Sequence, residues 1–317
     1  MVSDEKEKAV QLEGIHHISA ITGDVAANVD FYARVLGLRL VKKTVNQDDP
    51  TVYHLFYADE LGSPGADLTF FEYPGVREGT AGDGMVHEIV FRVASELALD
   101  FWEARLIFEG RAPTRVPGRL TFTDPEGLGL ALVVVQRSDR PLVARALEIP
   151  VEHALQGFEA VRAYVSDRPR SAQLLAAPMG FVEVAPGEWE ARGEERGGRI
   201  IFDPSPGQGT PGAGTVHHVA WSIGMGEEDA WQAVIERTGL RPTPVIDRYY
   251  FRSIYFREPS GILYELATRG PGFGVDEPLG TLGEALALPS NFEPIREHVA
   301  PRLTPLPDVQ QWRPAND

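Results

Sequence analysis

Four segments of this chain begin alike, with a glycine followed by a short strand-like run: "GIHHISAI" from Gly14, "GMVHEIVF" from Gly84, "GFEAVRAY" from Gly157 and "GTVHHVAW" from Gly214. An internal repeat constrains the fold more than any composition, because each copy is one supersecondary unit that must bury its apolar face against a neighbour. After each strand comes a segment with apolar residues at helical spacing, such as "VAANVDFYARVLGL" in the first copy and "EEDAWQAVIERTGL" in the fourth, ending at a glycine suited to a helix C-cap. Gly37 and Gly180 lie the same distance beyond Gly14 and Gly157. Three β-rich runs follow, in the first copy "LRLVKKTVN", "TVYHLFYADE" and "DLTFFEYP", punctuated by Gly, Pro and Asp. The other copies close with "LGLALVVV", "RIIFDP" and "GILYELAT". Each unit reads as strand, helix and three strands, an α+β pattern. The charged, proline-containing stretch at 138–156 is the best linker, which predicts two paired-module halves, 12–137 and 157–270, and a proline-rich tail, 271–317, in an extended wrap.

Composition narrows the chemistry. The 317 residues include no cysteine, so disulfides, thiolate metal sites and cysteine nucleophiles are excluded, and His, Asp and Glu are the available metal ligands. A net charge of −16 argues against nucleic acid or an anionic membrane as partner. No apolar run approaches the roughly eighteen residues of a membrane span. The N-terminal "MVSDEKEKAVQLE" is charged and lacks the apolar segment of a signal peptide, so the expected location is the cytoplasm.

Four βαβββ units in two pairs resemble the vicinal oxygen chelate superfamily, which includes glyoxalase I, extradiol ring-cleaving dioxygenases and bleomycin-resistance proteins. The resemblance covers roughly residues 12–270. It implies open cup-like β-barrels formed by paired units, with a divalent metal in a cup, and specifies a fold rather than a reaction.

Side chains along a strand alternate between faces, so the two histidines of each His-His pair are expected on opposite faces. In phase with the first histidine run Ile18 after His16, Ile89 and Phe91 after His87, and Val219 and Trp221 after His217, which is the pattern of a face packed against a helix. In phase with the second run Ser19 after His17, and Ala220 and Ser222 after His218, which suits a solvated cup. His17 and His218 are therefore the metal candidates, while His16, His87 and His217 read as structural. The second and third copies carry Glu88 and Ala160 at the ligand position. The resemblance implies a ligand from the last strand of a unit, and Glu265 in "GILYELAT" sits there among apolar residues, where an unpaired acid is costly unless something partners it. The other last strands offer Thr69, Ala131 and Ile201 or Phe202; Glu72 is out of register, and Glu88 is expected to line another cup with the third unit. Two imidazoles and one carboxylate form the facial triad of non-haem Fe(II) oxygenases, and Mn(II) suits the same donors.

Longer strings sharpen the resemblance: "GIHHISAITGD", "VYHLFYADELGSPGADLTFFEYPG", "DRYYFRSIYFREPSGILYELAT" and "LALPSNFEPIREHVAPRL". They are similar to the hydroquinone-type ring-cleaving dioxygenases. The resemblance implies an aromatic diol substrate, dioxygen as co-substrate, a homo-oligomer, and one iron ligand from the first unit with two from the last. It further implies Arg248 and Tyr255 as active-site residues and places His16, His217 and Ser19 around the metal, which strand alternation permits for His16 and His217 only with a backbone bulge. His54 in "VYHLFYADE" reads as a core histidine, and Asp48 with Asp49 before a proline as turn chemistry. Two other classes compete. A glyoxalase-like lyase or isomerase predicts a fourth protein ligand and no oxygen consumption, and a metal-free binding protein predicts cups without a triad.

Overall fold

The computed structural model describes residues 10–314, so most of the charged N-terminal stretch lies outside the described residues. The first unit comprises β1 (Ile15–Thr22), α1 (Val25–Val29, continued by a π-helical stretch Asp30–Val35), β2 (Arg39–Val45), β3 (Tyr53–Ala58) and β4 (Asp67–Glu72). The second holds β5 (Met85–Val93), α2 (Glu96–Phe108), β6 (Thr114–Val116), β7 (Arg119–Thr123) and β8 (Gly129–Val134). The third holds β9 (Phe158–Tyr164), α3 (Arg168–Ala176), β10 (Val182–Ala185), β11 (Glu188–Arg192) and β12 (Gly197–Asp203). The fourth holds β13 (Val216–Ile223), α4 (Glu228–Arg237), β14 (Ile246–Asp247), β15 (Phe251–Arg257) and β16 (Leu263–Pro271). Three helices start where a short polar side chain caps a free backbone N–H: Asp24 accepts from Ala27, Ser95 from Ala98 and Asp167 from Arg170.

Sheet pairing crosses the two halves expected from the linker. One eight-stranded sheet runs β14-β15-β16-β13-β1-β4-β3-β2, joining the first unit to the fourth, and the other runs β10-β11-β12-β9-β5-β8-β7-β6, joining the second to the third. The physical reason lies in the two segments that lead from unit one to two and from unit three to four. They run side by side, with Glu78 bridged to Ala213 and Thr80 to Thr210, so the chain changes sheets twice at one crossing. Each sheet still pairs two units through their first strands, β1 with β13 and β5 with β9, both antiparallel.

The repeated glycines sit where the sheets meet. Gly84 and Gly214 have φ of +70° and +74°, and a Cβ on them would lie 2.2 Å from Ser260 O and 2.1 Å from Glu126 O. Each unit's opening glycine thus accepts the turn ahead of another unit's last strand, a fit that needs both the left-handed backbone and the missing side chain. The outer faces pack on the helices: Ile18, Ile89, Phe91, Val219 and Trp221 are fully buried in one core with Trp102 of α2 and Trp231 of α4.

Beyond β16 the chain runs through short 3-10 turns and one α-helical turn, Arg296–Val299, and wraps the β2 edge. Ala287 N–H donates to Lys43 O, and the Arg39 guanidinium donates to the carbonyls of Leu279, Gly280 and Leu282. Lys42, fully buried, pairs with Asp276 at 2.7 Å and with Glu277.

Candidate metal centre and its cavity

β13 lies between β1 and β16, and this order brings His17, His218 and Glu265 to one point. His17 Nε2 is 3.2 Å from His218 Nε2 and 3.1 Å from Glu265 Oε2, and His218 Nε2 is 2.9 Å from the same oxygen. Bonds of about 2.1 Å to three mutually perpendicular ligands of one ion give edges of about 3 Å, which is the triangle seen. Glu265 is fully buried, and the two imidazole nitrogens are the polar neighbours of its Oε2. This donor set fits a divalent cation. Burial pushes the Glu265 carboxyl up, but His17 and His218 outweigh it and hold it well below the usual carboxylate range. Burial also disfavours charge on His17, and Glu265 more than restores it; at His218 burial prevails and the pKa is lowered.

The first histidines depart from the alternation expected of regular strands. Where β1 pairs with β13, the register jumps from Ile15 to His17 on one strand and from His218 to Val216 on the other. His16 and His217 are the extra residues of two β-bulges, which break the alternation of faces. The same irregularity falls at His87 and at Glu159 in the β5–β9 pair, so the bulge belongs to the repeat. His16 and His217 are therefore not on the helix-packed face. His16 Nδ1 lies 2.9 Å from His17 Nδ1, with its Nε2 3.1 Å from Thr268 O, and His217 Nδ1 lies 2.7 Å from His218 Nδ1. His87 is remote from this centre, stacked on Tyr164 and paired with Asp203 at 2.8 Å.

A cavity of about 260 Å³ opens over His17, His218 and Glu265, with Phe56, Phe71, Phe251, Ile246 and Leu263 in its walls. Tyr255 stands opposite Glu265 in the β15–β16 register, and Arg248 Nε donates to its hydroxyl at 3.2 Å. Ser19 also lines the cavity, its Oγ 2.7 Å from Thr69 Oγ1. Asp48 and Asp49 lie in the expected turn, Asp48 N–H donating to Asn46 Oδ1 and Asp49 Oδ1 accepting from Thr51 N–H, but that turn also borders the cavity, and Asp48 approaches Arg248 at 3.6 Å. In the second sheet the equivalent cup is filled by ion pairs: Glu88 binds Arg119 and Arg162, and Arg162 binds Asp203 at 2.6 Å. Glu88 thus lies apart from the triad, on the other sheet.

Asp67 escaped sequence reasoning. It lies opposite His17 in the β1–β4 register, fully buried, with neither oxygen hydrogen-bonded among the described residues. Burial pushes its carboxyl up to about 8, against the pull of His17 and with the help of Asp59 and Glu265. A folded pKa above the unfolded value of about 3.9 means that the folded state holds the extra proton in between, so stability falls as pH rises through that window. Asp67→Asn is expected to remove this slope and to stabilise the metal-free protein more at pH 8 than at pH 5, by a few kcal/mol. Urea denaturation at the two pH values checks it, and an equal effect at both would refute the assignment.

Residues 14–132 match the glyoxalase/bleomycin resistance protein/dioxygenase superfamily. The chain is 39% identical over 321 residues to MhqA of Bacillus subtilis (strain 168), named as an inferred ring-cleaving dioxygenase, with 94% of this chain and 100% of MhqA covered. It is 30% identical over 315 residues to the chlorohydroquinone/hydroquinone 1,2-dioxygenase of Sphingobium indicum, covering 91% of this chain and 95% of that protein. A crystal structure of an inferred dioxygenase from Bacillus subtilis superposes with a TM-score of 0.88 at 40% identity, covering 94% of this chain and 99% of the other. Among the described residues no helix is long and apolar enough to cross a membrane.

Proposed function

Because the chain belongs to the glyoxalase/bleomycin resistance/dioxygenase superfamily, and within it to the ring-cleaving dioxygenases, we propose that it opens the ring of a hydroquinone- or catechol-like diol with dioxygen, at Fe(II) held by His17, His218 and Glu265. The observation that carries this reading is the convergence of two imidazole nitrogens and one carboxylate oxygen beneath an aromatic-walled cavity. Three protein ligands would leave other positions of the ion open, and Mn(II) would fit the same donors. Bound there, the ion would supply Lewis-acid and redox chemistry for the diol and dioxygen.

The surrounding side chains position the diol. The Tyr255 hydroxyl accepts from Arg248 Nε, which leaves its own proton for an oxygen of the substrate. Burial and the neighbouring Glu265 push this phenol up, so it serves as a hydrogen-bond donor rather than a base. Arg248 stays cationic beside the cavity and favours a phenolate there. His16 accepts from His17 Nδ1–H and donates Nε2–H to Thr268 O, which fixes the His17 tautomer with Nε2 free for the metal. His217 gives His218 the same support. His217, its Nδ1 accepting from His218 Nδ1–H, carries its own proton on Nε2 and so faces the cavity as a hydrogen-bond donor; partial burial, then the charge of His218, lowers its pKa to about 4 and keeps it neutral. Ser19 holds Thr69 in place.

Oxygen uptake tests the reading: protein reconstituted anaerobically with Fe(II) should consume oxygen and lose aromatic absorbance when given hydroquinone, methylhydroquinone or catechol. No uptake despite one bound metal per chain would move the reading to a glyoxalase-like lyase or isomerase. In the same assay Tyr255→Phe should lower kcat by about 100-fold with unchanged metal content.

A further inference from the structure

His54 is a cavity residue to which the reading above gives no task. Its ring, on β3, packs against those of Phe56 and Phe71, with centroids 4.0 and 4.2 Å away. Its Nε2 is 2.9 Å from Thr69 Oγ1, which is 2.7 Å from Ser19 Oγ on the strand that carries the ligand His17. The two phenyl rings fix the plane of the imidazole and the Thr69 contact fixes its rotation, so Nδ1 has one direction left. That atom makes no hydrogen bond to any described residue. The Phe71 ring that touches His54 is also 6.3 Å from the ring of His218, so one aromatic side chain spans the distance from His54 to the ligands along the cavity wall.

Several other polar groups at the cavity are already engaged. Gln47 donates to Arg248 O, Asn46 Oδ1 accepts from Asp48 N, and Thr243 Oγ1 accepts from Tyr255 N. Building on the diol dioxygenase reading, we propose that His54 determines specificity by hydrogen-bonding, through Nδ1, the hydroxyl remote from the metal-held oxygen, and so favours a 1,4-diol over a 1,2-diol or a simple phenol. A hydroxyl both donates and accepts, so it pairs with either tautomer of a neutral imidazole, whereas a methyl group pairs with neither. Burial, then the charges of His17, His218 and Arg248, hold the His54 pKa well below its ordinary value, which keeps the ring neutral.

The test is anaerobic calorimetry of hydroquinone, catechol and 4-methylphenol binding to the Fe(II)-loaded protein. The wild type should bind hydroquinone at least about tenfold more tightly than 4-methylphenol, the effect of one hydrogen bond whose loss leaves a buried partner unpaired. His54→Phe should erase that ratio by weakening hydroquinone alone, with catechol unaffected. His54→Gln keeps a polar group at the site, guards against a variant that does not fold, and should recover part of the ratio. Equal weakening of all three rings would make His54 a packing residue and overturn the assignment, as would an unchanged ratio in His54→Phe. Failure of the wild type to bind any of the three would overturn the dioxygenase reading and this one with it. The first two outcomes leave the dioxygenase reading standing, because they are read as ratios between rings that the wild type binds.

Discussion

Glu265→Gln is expected to abolish tight binding of a divalent cation and to lower turnover of Fe(II)-reconstituted protein by more than about 100-fold, which is the upper end for losing a residue that merely supports a ligand. Gln keeps the volume of Glu and removes its charge, so the change isolates the ligand from the packing. The variant should still fold. In the metal-free protein Glu265 raises the His17 pKa, and His17 sheds its proton more readily once the carboxylate is gone, so no stranded charge remains in the core. Thermal melts taken anaerobically with and without Fe(II) separate the two effects. Wild type should gain about 4 kcal/mol at a metal concentration a thousand times the Kd, and the variant should gain little. Metal content after dialysis equal to that of wild type would remove Glu265 from the ligand set.

Much of this arrangement was legible in the sequence because it rests on period and residue type. The repeated glycine, the strand-helix-strands pattern and an acid isolated among Ile262, Leu263, Tyr264 and Leu266 are local signals, and the structure brings His17, His218 and Glu265 within hydrogen-bond distance of one another. What sequence reasoning missed depends on departures from regularity or on distance along the chain. Alternation holds only for an unbroken strand, and the bulges at His16 and His217 turn them towards His17 and His218. A linker suggests halves, but the crossing of Glu78 with Ala213 and Thr80 with Thr210 decides which units share a sheet. His54 and Asp67 look like ordinary strand residues until neighbouring strands place Thr69 beside one and His17 opposite the other. Lys42 belongs to the same class, since "VKKTVN" carries no sign that one of its two lysines is fully buried against the tail.

Lys42→Met should destabilise the protein by about 3–5 kcal/mol, the usual cost of removing one partner from a buried ion pair. Its ammonium is the cation between Asp276 and Glu277, it approaches Phe273 O at 3.4 Å, and it sits 4.8 Å from the centre of the Tyr250 ring. Met fills the space of the Lys stem but leaves two poorly solvated carboxylates facing each other. The loss should therefore come from those charges rather than from packing, and Lys42→Met combined with Asp276→Asn and Glu277→Gln should recover most of it. Urea denaturation of the single and triple variants measures both quantities, and a single-variant loss below about 1 kcal/mol would show that the pair is effectively solvated. The consequence reaches the cavity, because Tyr250 lines it and donates its hydroxyl to Asp276 Oδ2 at 2.9 Å. A tail that lets go of Lys42 repels Asp276 from Glu277 and takes the anchor of Tyr250 with it. The single variant should then bind metal as wild type does but turn over diols more slowly. In the triple variant the defect should be relieved only so far as the amide oxygen introduced by Asp276→Asn still accepts from the Tyr250 hydroxyl.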